Sequence, residues 1–150
     1  MRYAIVAFIT FVFAAPVAFA ANHIDLTGKM RPGLYEATTH MTIKGMGDMP
    51  AKTSKSCVTK EDLTDFGHWS KADPSAKITD VSLKGNHLHF KMTSNKGGGL
   101  TTMVDDIIFK DPEHYQFRGN ISKDVNGQTY EMTMKSDAHR IGDCTDEQKK

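Results

Sequence analysis

The chain has no excess of charge of either sign: Lys and Arg number 19, Asp and Glu 18, in 150 residues. A nucleic-acid binder normally shows a basic face, and no Lys/Arg cluster is present to make one. A basic membrane-surface helix is missing for the same reason. Catalytic signatures are absent too. There is no G-x-S-x-G, no H-E-x-x-H and no phosphate-cradling glycine motif. Cysteine is scarce, with only Cys57 and Cys144. They do not form a Cys-x-x-Cys, so thioredoxin-type redox chemistry has no support. These absences together point to a protein that is not an enzyme. The one long apolar run lies at the very start of the chain.

Met1 and Arg2 open a short basic segment, and Tyr3 to Ala15 continues it without a charge. Ala18-Phe19-Ala20 then offers an A-x-A site, with cleavage expected between Ala20 and Ala21. That order of charge, apolar run and small residues is a secretory signal peptide. A membrane anchor would need about 20 predominantly apolar residues, and Pro16 interrupts the run. Residues 1–20 are therefore expected to direct export and to be removed. No membrane span is expected afterwards.

Residues 21–150 lose only Arg2 from the 19 basic residues, leaving 18 basic against 18 acidic. That length is one domain by the usual prior. Two cysteines in an exported chain most economically make one disulfide. It would close a loop of about 88 residues, for which the chain-entropy model allows about 4–5 kcal/mol and practice about 2–4. Two free thiols are the alternative at this point.

Period-two alternation dominates the mature chain. Ala21 to Arg31 leads into the fold. Tyr35, Ala37, Thr39, Met41 and Ile43 share one face of a strand, with Glu36, Thr38, His40 and Thr42 on the other. Lys44 to Lys55 holds two Gly and a Pro without alternation and reads as a mobile loop. Thr59-Lys60-Glu61-Asp62 resembles a capping box, predicting a short helix from Lys60 to about Phe66 that Gly67 would stop. His68-Trp69 comes next, with Trp69 as a core or rim plug.

From Ala76 the chain reads as a meander. Val81 and Leu83 precede the turn signal Gly85-Asn86, and Leu88, Phe90 and Met92 face inward after it. Leu100 to Phe109 is strand-like, with a bulge and solvated acids expected at Asp105-Asp106. Tyr115, Phe117 and Ile121 alternate before Asn126-Gly127, a type I′ hairpin signal, and Tyr130, Met132 and Met134 alternate beyond it. Glu147 to Lys150 reads as a polar tail. The expected fold is all-β and mainly antiparallel. It is a meander of about six or more strands with one short helix, forming a strongly curved sheet or a small barrel. A single β-rich domain over 21–150, with its core at about 32–144, is the expected organisation.

Several short motifs stand in a specific order. Pro32-Gly33-Leu34-Tyr35-Glu36 comes first, then Gly45-Met46-Gly47-Asp48-Met49-Pro50. Cys57-Val58-Thr59, Glu61-Asp62-Leu63, Val81, Gly85-Asn86 and Lys91-Met92 come after these, and Arg140-Ile141-Gly142-Asp143-Cys144 closes the series. Their order and spacing resemble a bacterial family known as domain of unknown function 3617. The resemblance implies an exported protein of the Gram-negative periplasm without an assigned activity. Members often carry two further cysteines, where this chain has Ala76 and Ser94. Their joint absence implies that they pair with each other, leaving Cys57 with Cys144.

Two constellations suit a metal. His87 and His89 share one strand face and would chelate zinc or copper if a third ligand converged, from His114 or His139 for instance. Met46 and Met49 lie on a loop beside His40 and Met41, and soft thioethers select Cu(I). The plainer reading makes the histidine pair a polar solvent face. It makes Met41, Met92, Met132 and Met134 flexible core fillers. The leading expectation is a binding module that takes a small apolar ligand or an envelope protein on its concave face or loops. Inhibition of a cell-envelope enzyme is an alternative.

Overall fold

In the computed structural model, residues 24–66 and 73–146 are described. The expected signal peptide with its Ala20–Ala21 cleavage, Gly67, His68-Trp69 and the tail Glu147–Lys150 lie outside them.

Alternation produces β1 (Gly33–Ile43), with Tyr35 fully buried and His40 and Thr42 exposed. β2 (Gly47–Asp48) and β3 (Lys52–Val58) pair antiparallel with β1, at Thr42–Ile43 and Gly33–Thr39 respectively. This corrects the expectation of a loop over 44–55. β3 carries exposed polar side chains on both faces, so it shows no alternation, yet its backbone completes the β1 ladder. Its Lys52 and Lys55 discourage pairing with another chain along this sheet edge.

Helix α1 (Lys60–Thr64) starts where the capping box predicts. The Thr59 amide donates to Asp62 Oδ2 at 2.8 Å, and Thr59 Oγ1 accepts from the Asp62 amide at 3.2 Å. The helix ends at Thr64, two residues before the predicted Phe66. The meander is β4 (Lys77–Lys84), β5 (His87–Ser94), β6 (Leu100–Asp111), β7 (His114–Val125) and β8 (Gln128–Gly142). Asn126 and Gly127 both adopt positive φ, at 51° and 79°, as a type I′ turn requires.

These eight strands form one antiparallel sheet in the order β2-β1-β8-β7-β6-β5-β4, with β3 also on β1. The sheet curls without closing, so of the two expected forms the curved open one is found. The bulge expected at Asp105-Asp106 is not there. Both residues keep unbroken register with β5 and β7, and the irregularity falls between Phe109 and Asp111.

The core fills one part of the inner face. Leu26 and Met30 from the lead-in, Leu63 of α1 and Phe66 pack with Tyr35, Val58, Leu88, Phe90, Ile107 and Phe109. Phe66 meets Phe90 edge-to-face, with ring centroids 4.8 Å apart. Each such fully buried side chain contributes about 1.5–3 kcal/mol. The Leu26 amide donates to the Leu63 carbonyl at 2.7 Å, tying the lead-in to the helix. The Tyr35 hydroxyl donates within this core to the Arg31 carbonyl at 2.8 Å. Cys57 and Cys144 form a disulfide with Cα atoms 5.7 Å apart, joining the end of β3 to the segment after β8. The β4–β5 ladder ends with Lys77 paired to Thr93, so Ala76 and Ser94 each stand one residue beyond its last pair. This agrees with the cysteine pairing that the resemblance implied.

Candidate functional site

Strand register arranges the inner face in rows. In one row Leu88, Ile107, Phe117, Ser136 and Thr39 are successive neighbours across β5, β6, β7, β8 and β1. The next row runs Phe90, Asp105, Gly119, Met134 and Met41. A third runs Met92, Met103, Ile121, Met132 and Ile43. Met41, Met92, Met132 and Met134 face inward as expected, and Met103 joins them. They are not part of the buried core cluster, however; all five are only half-buried. A groove of about 180 Å³ opens on this face, lined by Thr39, Ile107, Tyr115, Phe117, Met134 and Ser136.

One polar group breaks the apolar pattern. Asp105 points inward and is 1 % exposed. Its Oδ1 is buried and has no hydrogen-bond partner among the described residues. Gly119 across the ladder makes room for it: a Cβ there would sit 2.5 Å from Asp105 Oδ1 and 3.0 Å from the Phe117 ring. The carboxyl therefore lies over the β7 backbone at Gly119, beside the Phe117 ring. Burial, reinforced by the charge of Asp106 and opposed by His89, pushes the Asp105 carboxyl up to about 6. Buried polar groups are nearly always satisfied, so an orphaned one needs an explanation. The expected bulge concealed this residue. Its signal was an acid at an inner position of the series Met103, Asp105, Ile107, Phe109.

On the outer face, His87 and His89 converge as expected, but on Asp106. His87 Nε2 lies 2.7 Å and His89 Nδ1 2.8 Å from the same Asp106 oxygen. Partial burial would raise the Asp106 carboxyl, but the bonds from His89 and His87 outweigh it and hold it below its usual range. His114 and His139 stack on each other, centroids 6.0 Å apart, with His114 Nδ1 3.0 Å from Asp111. They belong to a different row from His87 and His89. Met46 and Met49 are exposed, at 77 % and 45 %, near the opposite edge of the sheet from His87 and His89. Among the described residues, no group of three or more His, Cys, Asp or Glu is arranged to hold a metal ion.

A larger cleft, about 480 Å³, lies beside the disulfide between Gly33, Val58 and the first turn of α1. The Thr59 hydroxyl that lines it is engaged in the helix cap. The inner groove differs in lying on the sheet's apolar face, with Ile107, Tyr115, Phe117 and Met134 in its lining.

No curated protein and no solved structure matches the chain. A family model described as "Protein of unknown function (DUF3617)" matches residues 30–144, from the last residues of the lead-in to the second disulfide cysteine. The chain belongs to this family.

Proposed function

We propose that this protein is an exported, non-enzymatic binding module that holds an apolar ligand on the inner face of its curled sheet. One observation carries the reading. The apolar inner face extends past the buried core into half-buried rows of Met and Ile side chains. Ligand sites are typically concave and apolar with few polar groups. Methionine adapts its shape to an apolar guest because its side chain is unbranched and flexible. The disulfide fits an oxidising compartment, as export to the periplasm would provide.

Titration with the apolar fluorophore N-phenyl-1-naphthylamine tests this. The wild-type protein is expected to bind it, and Met134→Lys to bind it at least tenfold more weakly while keeping its fold. Equal binding by both proteins, or none by the wild type, would overturn the reading. Native mass spectrometry of periplasmically expressed protein adds a second readout. An apolar adduct supports the proposal, whereas a stoichiometric protein partner on a groove that takes no fluorophore would favour docking of an envelope protein.

A further inference from the structure

The groove changes polarity along a single row of the sheet. Ile107 on β6 and Phe117 on β7 are apolar, Ser136 on β8 and Thr39 on β1 carry hydroxyls, and all four line it. The row runs on to the sheet edge, where Thr39 pairs with Lys52 of β3. Residues directly opposite each other share a face. Val58, in the same alternation as Lys52, packs in the inner core, whereas Lys55 reaches Glu36 at 3.6 Å on the outer face. Lys52 therefore stands on the inner side. It is exposed, and its ammonium has no ion-pair or hydrogen-bond partner among the described residues. Asp105 is four strands away, on β6.

The hydroxyl pair is itself incomplete. Thr39 Oγ1 and Ser136 Oγ lie 2.9 Å apart, so one of their two protons is used between them. The Thr38 carbonyl lies 3.4 Å from Ser136 Oγ, which is long for a hydroxyl donor. One proton is thus open to a guest.

We infer that the groove takes a single-chain amphiphile with a carboxylate head, held by the Thr39–Ser136 hydroxyls and by the Lys52 ammonium at the rim, with its tail over Phe117 and Ile107. This rests on the groove being a ligand site and names the class of ligand. An ionised carboxylate only accepts hydrogen bonds, which matches the open hydroxyl proton. Its charge matches Lys52, and a hydrogen bond to an ionised acceptor outweighs a neutral one. An ammonium head would instead sit beside a like charge. Because Lys52 is exposed, the preference between the two heads is modest. It comes to about three- to tenfold once attraction of one and repulsion of the other are combined.

The test is displacement of bound N-phenyl-1-naphthylamine at pH 8 and low salt by octanoate and by octylammonium, each below its micelle-forming concentration. Octanoate is expected to displace the dye at a concentration about three- to tenfold below that of octylammonium. The ratio is read within each variant, so a change in dye affinity cancels. Lys52→Glu should reverse the order. Lys55→Glu makes the same change of charge on the outer face of the same strand and should leave the order as it is. The Thr39→Val, Ser136→Ala double variant removes both hydroxyls and should lower the octanoate advantage. Dye binding with no preference for octanoate in the wild type would overturn the carboxylate site alone. So would a ratio that Lys52→Glu leaves unmoved, that Lys55→Glu moves equally, or that survives loss of both hydroxyls. Lys52 would then only guard the sheet edge. Failure of the dye to bind would overturn the groove and the carboxylate site together.

Discussion

Asp105 on β6 carries its carboxyl over the bare backbone of Gly119 on β7, so closely that a Cβ on Gly119 would lie 2.5 Å from Oδ1. The acid and the glycine form one device, and either loses its sense without the other.

Gly119→Ala should therefore destabilise the protein. The added methyl meets both the Asp105 carboxyl and the Phe117 ring. Overpacking of this kind costs about 1–3 kcal/mol. Urea unfolding of the variant beside wild type measures it. Combining Gly119→Ala with Asp105→Ala should recover part of the loss, because the carboxyl is then gone.

The raised Asp105 carboxyl predicts a pH dependence of definite sign. Folding moves it from 3.8 to about 6, so the folded state holds the proton more tightly than the unfolded chain. Its contribution is then favourable below about 4, falls as pH rises to about 6, and is fully lost above. About two pH units correspond to about 3 kcal/mol. Burial sets this shift, with the charge of Asp106 adding to it and His89 opposing it. Asp73, Asp106 and Asp111 have lowered carboxyls and act in the opposite sense, losing stability as pH falls below the usual carboxylate range. The stability difference between wild type and Asp105→Asn isolates Asp105. It should move by about 3 kcal/mol in favour of the variant between pH 4 and pH 8. A flat difference would remove the shift.

Reduction of Cys57–Cys144 should cost about 2–4 kcal/mol, as is usual for a bridge closing a long loop. A thermal melt with and without dithiothreitol shows the loss. The Cys57→Ala, Cys144→Ala double variant should match the reduced protein and be insensitive to the reagent.

Zinc tests the outer histidines. His87 and His89 each place one ring nitrogen on Asp106, so a metal must break those bonds to use them. Micromolar zinc is expected to leave the melting temperature unchanged. A rise that disappears in His89→Ala would restore the metal reading.

The strands of the meander are legible in the sequence because period-two alternation survives wherever one face is buried. β5 and β7 show it with Leu88, Phe90, Tyr115 and Phe117. β3 is illegible for the converse reason: at the sheet edge its residues Lys52 to Ser56 are all exposed, so hydrogen bonding alone makes it a strand. The groove is half legible. Met134 in its lining and the neighbouring inner-face methionines fall on the expected face, but how little of them is covered depends on long-range packing. Asp105 escapes the pattern because an acid in an apolar row costs stability, and a bulge would avoid that cost. Only the glycine on the neighbouring strand makes its inward position possible.

The pairing of β1 with β8 has a consequence for how the chain acquires its shape. Thr39 meets Ser136 across 97 residues of sequence, whereas β4 to β8 join neighbour to neighbour. Contacts of such separation form late, because a long loop must close before they are rewarded. A chain emerging from its N-terminus first must keep one side of β1 unpaired until β8 arrives. Cys57 must likewise wait for Cys144, so docking β8 on β1 and fixing it by oxidation become the last events of folding.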